Sequence, residues 1–138
     1  MKKAIFLLIV LIAGALIYSV FFYKDKPTSL KSKIAAQRNP FLVPVSQSDL
    51  VWSRAQDYVK KRYRLISGDK MQLNDSVLFI PYFNDYHKGN TLEIKRAQKG
   101  DSVQFAVTLY KSGNLQQDGS KEIALFMATG IDKYNYNE

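Results

Sequence analysis

The chain has 138 residues, with 20 Lys and Arg against 12 Asp and Glu, a formal net charge of +8, and no Cys. This length accommodates one domain and a terminal segment rather than two domains. The lack of Cys excludes disulfides, thiolate metal sites and a lipid-anchored N-terminal cysteine.

Ala4 to Tyr23 reads AIFLLIVLIAGALIYSVFFY, twenty residues without a charge. As a helix it would rise about 30 Å, the thickness of a bilayer's hydrocarbon core. Lys2 and Lys3 precede it; Lys24 and Lys26 follow. Ala13-Gly14-Ala15 offers a signal-cleavage pattern, but cleavage there would expose the apolar run from Leu16 to Tyr23. The expectation is an uncleaved single-pass anchor. Lys and Arg counted at both ends favour a cytoplasmic domain. The short basic leader, in contrast, is how export signals begin. On the second argument the expected address is a bacterial inner membrane with the C-terminal domain in the periplasm. Lys2 and Lys3 carry two of the eight net charges, which leaves +6 on residues 24–138. Such charge beside a membrane is drawn to anionic headgroups. No nucleic-acid-binding motif accompanies it, so nucleic acid is not an expected partner.

Residues 24–47 read as a linker punctuated by Pro27, Pro40 and Pro44. Leu30 to Ala36 has the composition for two helical turns. Phe41 to Val45 is apolar and extended, suited to packing on a domain edge or contacting a partner. A helix is predicted from Ser48 to Ile66, with Ser46 and Asp49 as capping groups and Ser67-Gly68 as the stop. Its apolar stripe is Trp52, Ala55, Val59 and Ile66, with Tyr63 alongside.

Strands follow. Ser76 to Tyr82 is continuously apolar, as expected of burial on both faces. Thr91–Gln98 and Ser102–Tyr110 alternate around Lys99-Gly100-Asp101, a β-hairpin pattern. Residues 112–120 read as a loop, and Glu122 to Thr129 as a strand with Ile123, Leu125 and Met127 on one face. The expected fold class is α+β: a transmembrane helix, then one helix on an antiparallel meander of about four strands. The domain is placed at 48–130 and a tail at 131–138. The layout resembles that of cystatin-like domains and of small membrane-tethered assembly factors. It is a likeness of layout, and no site residue follows from it.

Chemistry is sparse. The chain has no GxSxG, HExxH, P-loop or GxGxxG. His87 is the single histidine, in a polar loop beside Asp85, and no ligand spacing surrounds it. The carboxylates are scattered, whereas acid–base catalysis needs two in one cleft. No catalytic residue, metal or cofactor is expected. Asn74-Asp75-Ser76 matches a glycosylation sequon by chance. Lys60, Lys61 and Arg64 would share a solvent side of the helix. They suit its negative end and also an anionic lipid surface. Phe41, Leu42, Val43, Tyr82, Phe83 and Tyr86 are the apolar and aromatic candidates for binding a protein partner. The leading expectation is a non-enzymatic accessory or assembly protein of an envelope complex. The alternative is a membrane-tethered module for anionic lipid or envelope glycan, with Tyr110, Lys95 and Arg96 lining a concave sheet face.

Overall fold

A computed structural model of the protein describes residues 29–63, 71–81 and 90–133. The fold is α+β, with helices on an antiparallel sheet. The elements are α1 (Leu30–Ala36), β1 (Phe41–Pro44), α2 (Val45–Arg62), β2 (Gln72–Leu73), β3 (Val77–Ile80), β4 (Thr91–Lys99), β5 (Ser102–Lys111), β6 (Asn114–Leu115) and α3 (Gln117–Thr129). The strands lie in the order β1-β5-β4-β3-β2, and β6 pairs with β5 beyond the end of β1. Ala4–Tyr23 lies outside the described residues. Among the described residues, no helix is long and apolar enough to cross a membrane.

The β4–β5 hairpin forms as its alternation predicts, with Lys99 opposite Ser102 and Thr91 opposite Tyr110. Gly100 has φ 61° at the first of the two turn positions. Positive φ there, and not at Asp101, is the type II′ pattern. Leu92, Ile94, Val103, Phe105, Val107 and Leu109 face one side and are buried. Helix α2 covers that side with Val51, Trp52, Ala55, Tyr58 and Val59. Phe105 stacks on Phe41 at 5.6 Å between ring centroids and meets Trp52 at 6.3 Å.

The structure corrects several expectations. The segment read as linker contains α1 and β1, and the compact unit begins at Leu30. Pairing with β5 keeps Phe41–Pro44 extended, and α2 starts directly after Pro44, three residues before the expected Ser48. No side chain caps its first turn. Asp49 instead reaches Arg96, Nη1 to Oδ1 3.2 Å. The helix ends at Arg62, because Tyr63 turns extended at φ −111° and packs beside Tyr58. In β3, Leu78 and Ile80 are buried while Val77 and Phe79 are half-buried. Helices cover one face of that strand, so the apolar run is not enclosed on both sides. Asn74 Oδ1 accepts from the N–H groups of Ser76 and Val77, both at 2.8 Å. The sequon asparagine is therefore a turn-capping residue.

The largest correction is α3. Residues 112–120 are not a loop: Ser112 and Gly113, at φ 51° and 78°, make a tight turn into β6, and a helix starts at Gln117. Both positive φ values match a type I′ turn. Glu122–Thr129 is helical, with Ser120, Ile123, Ala124 and Met127 buried at helical spacing. The sheet therefore carries two helices. The end of α3 is fixed by Gly130, at φ 77°, whose N–H donates to Phe126 O at 2.7 Å. Arg54 Nη1 donates to the terminal carbonyls of Met127 and Ala128 at 3.2 and 3.1 Å, a cation on the helix's negative end. Gly130→Ala is expected to destabilise the fold by about 1–2 kcal/mol, the cost of a Cβ in the left-handed region. A urea titration of the full chain in detergent measures it.

Candidate interaction surface

Strand register defines a second sheet face, opposite α2 and α3. Side chains alternate along a strand, and paired residues share a face. One row across it is Val77, Lys95 and Ala106; the next is Phe79, Glu93 and Thr108. Toward β1 lie Ala97, Gln104 and Leu42; toward β6 lie Thr91, Tyr110 and Leu115. Helices α2 and α3 pack on the other side, and α1 packs on α3. Leu42 is 60% exposed, Leu115 50% and Tyr110 37%. Lys95 Nζ meets Glu93 Oε1 at 2.8 Å on this face, and both side chains are solvated. Such pairs contribute little stability, about 0–1 kcal/mol. The surface mixes apolar, aromatic and neutral polar groups with the Lys95–Glu93 ion pair and, by the same register, Lys99 at the hairpin end.

Where β1 gives way to β6, the intervening stretch of β5 has its backbone bonding complete. On β5, the odd residues direct N–H and C=O toward β1 and β6. Val103 and Phe105 pair with β1, and Lys111 pairs with β6. Between them, Asn39 takes the place of a strand residue: its Nδ2 donates to Val107 O at 2.7 Å, and its Oδ1 accepts from Val107 N at 2.9 Å. Leu109 N donates to Ser120 Oγ at 3.1 Å, and Leu109 O accepts from Gln116 N at 2.8 Å. A β5 edge satisfied in this way cannot template an added strand. A notch of about 390 Å³ remains where β1 and β6 part, lined by Pro40, Ala106, Thr108, Tyr110, Leu115 and Lys121. A second hollow, about 520 Å³, lies across Pro40 along the outer edge of β1, beside Leu42 and Gln104.

The sequence-derived partner residues separate. Phe41 and Val43 point into the core, each 7% exposed, and are not available to a partner. Leu42, between them, points outward. Tyr82, Phe83 and Tyr86 lie outside the described residues, as do His87 and Arg64. Lys60 and Lys61 are exposed at the end of α2. Arg62 turns inward, with its guanidinium 5.2 Å from the Tyr58 ring centroid and an ion pair to Asp132. Tyr110 and Lys95 share the open face, but Arg96 does not. Its side chain stands on the helix side, 4.8 Å from the Trp52 ring centroid. Parity explains the split, since adjacent strand residues face opposite ways. Leu115 and Asn39 escaped the sequence reading. Leu115 sat within an apparent loop, and Asn39 acts through a backbone-like geometry with no motif.

Among the described residues, no three His, Asp or Glu side chains group to hold a metal. The Tyr58 hydroxyl donates to Glu122 Oε1 at 3.3 Å, and Glu122 also pairs with Lys133 at 2.9 Å. Burial pushes the Tyr58 hydroxyl well above the usual tyrosine range, and Tyr63 and Glu122 add to it. A tyrosine held protonated in this way is a hydrogen-bond donor joining α2 to α3, not a base.

No known protein family model, curated protein or solved structure matches the chain.

Proposed function

We propose that the protein is a non-enzymatic, membrane-anchored docking domain that binds another protein face-on through the uncovered side of its sheet. The observation that carries this reading is the open face itself, with Leu42, Tyr110 and Leu115 exposed around its rim. Exposed apolar and aromatic groups with uncharged polar neighbours are the composition of protein interfaces. Along Val107 and Leu109, the completed β5 backbone favours side-chain packing over strand addition. The apolar block Ala4–Tyr23 supports an anchor that holds this face near its partners. The basic leader supports a periplasmic domain at a bacterial inner membrane, where the partner is a component of an envelope complex.

The test is co-purification of the full chain in mild detergent. The variant Leu42→Ser, Tyr110→Ser, Leu115→Ser is expected to keep its melting temperature, since solvent-exposed changes cost little. It is expected to lose partners that the unaltered chain retains. Recovery of the unaltered chain as a lone monomer would overturn the reading, as would partners indifferent to all three changes. Topology has a clean reporter because the chain has no Cys. A single Lys111→Cys, exposed at the end of β5, is expected to react with a membrane-impermeant maleimide added to spheroplasts. Labelling only after lysis would place the domain inside.

A further inference from the structure

Helix α1 is basic along its outer side. Between Lys26 and Ser48 the chain carries Lys31, Lys33 and Arg38 and no Asp or Glu. Leu30, Lys33 and Ile34 are half-buried, as expected of the side of α1 that packs on α3. Lys31, Ala35 and Arg38 are exposed. The ion pairs among the described residues use Arg62, Lys95, Arg96 and Lys133, so Lys31, Lys33 and Arg38 keep their charge uncompensated there. Lys121, on α3, adds a fourth cation: its Nζ donates to Ala35 O at 3.1 Å, at the end of α1. Asp118, one turn earlier on α3, is the opposing charge.

These cations belong to the folded domain. The compact unit begins at Leu30, and just beyond α1 Asn39 is fixed to Val107 by two hydrogen bonds. Chain length supplies the second argument. Residues 24–29 separate Tyr23 from Leu30, and six residues fully extended reach about 20 Å. With Ala4–Tyr23 across a bilayer, α1 is held within that reach of the headgroups. A tether so short makes the encounter intramolecular, so weak attraction per charge is enough. Basic side chains beside a spanning segment are drawn to anionic lipid. The long stem of Lys33 lets its ammonium reach the surface although the residue is half-buried.

We infer that the outer side of α1 binds the headgroups of anionic phospholipid in the bilayer, with Lys31, Lys33 and Arg38 at the phosphates and Lys121 adding to the field. The inference rests on the reading of Ala4–Tyr23 as an anchor and goes beyond it. It assigns lipid to α1 and leaves the open sheet face to a protein.

The test uses the full chain in phosphatidylcholine nanodiscs, with and without phosphatidylglycerol. The chain has no Cys, so a single donor dye is placed through Ala35→Cys on α1 or through Gln72→Cys on β2, the strand at the other end of the sheet from β1. The acceptor dye is on a lipid headgroup. Energy transfer from position 35 is expected to rise with phosphatidylglycerol and to fall again in high salt, which screens exposed charges. Lys31→Gln, Lys33→Gln and Arg38→Gln together are expected to move the docked-to-undocked ratio about 100-fold toward undocked, roughly fivefold per cation. Lys31→Gln with Arg38→Gln changes exposed residues alone and serves where Lys33→Gln disturbs α1; about 25-fold is expected of it. Equal transfer in the two lipids overturns the inference, as does a rise that survives the three substitutions or is as large from position 72. A rise lost instead on Lys60→Gln with Lys61→Gln would assign the contact to the end of α2 and overturn it too. Recovery of the chain with phosphatidylcholine discs tests the anchor separately. Recovery with phosphatidylglycerol discs alone would overturn the anchor and keep the basic contact, and recovery with neither overturns both.

Discussion

Phe105→Ala is expected to destabilise the domain by about 3–5 kcal/mol, the range for removing a fully buried phenylalanine. Phe105 is wholly buried on a strand flanked by β1 and β4. It stacks on Phe41 from β1 and faces Trp52 from α2, so one ring joins three elements. Its loss leaves a cavity under α2 and removes the main partner of β1. Small domains have only about 5–15 kcal/mol of stability in total, so the variant should be marginal. Phe105→Leu fills most of the volume and should cost much less. Urea melts of both variants against the unaltered chain provide the comparison. A cost below about 1 kcal/mol for Phe105→Ala would contradict this packing.

Asn39→Ala is the second large effect, expected at about 2–4 kcal/mol from two backbone groups left without partners. The Asn39 amide satisfies both the N–H and the C=O of Val107, on an edge between β1 and β6. Alanine can supply neither bond. Asn39→Asp discriminates the mechanism. A carboxylate still accepts from Val107 N–H but meets Val107 O with an acceptor in place of a donor. It should be at least as harmful as alanine at neutral pH, and partly relieved at low pH, where protonation restores a donor. Opening this stretch of β5 also exposes an unpaired edge, so both variants should aggregate more readily. Denaturation midpoints at pH 7 and pH 4, with light scattering, read all three effects.

The hairpin and the stripe of α2 were legible in the sequence because their periods are unambiguous. Val103, Phe105, Val107 and Leu109 alternate over a full strand length, and Trp52, Ala55 and Val59 repeat at helical spacing. Helix α3 was misread because EIALFMAT fits both periods. Ile123, Leu125 and Met127 alternate, while Ile123, Ala124 and Met127 also make a helical face with Ser120. Residue type carried the deciding signal: Ala, Leu and Met favour helix, and β-branched residues are few. The Gly130 stop agreed with it. Strand β1 looked like linker because four residues carry little pattern. Its pairing with β5 is a long-range contact that no local rule reports.

The candidate surface was less legible than the fold. Leu42 was identified by its apolar neighbours, yet the alternation that exposes it buries Phe41 and Val43. Register between distant strands decides which side chains share the open face. That is why Tyr110 joins Lys95 there while Arg96 faces the helices. Asn39 illustrates the same limit, since its role depends on a strand 68 residues away.

Site-specific photo-crosslinking in native membranes tests the docking proposal most directly. A photoreactive residue is placed in turn at Leu42, Tyr110 and Leu115 on the open face, and at Lys60 and Lys61 on the exposed end of α2. One shared protein adduct is expected from the three open-face positions, and none of that mass from the two helix positions. An adduct formed equally from both sets, or from the helix positions alone, would contradict it.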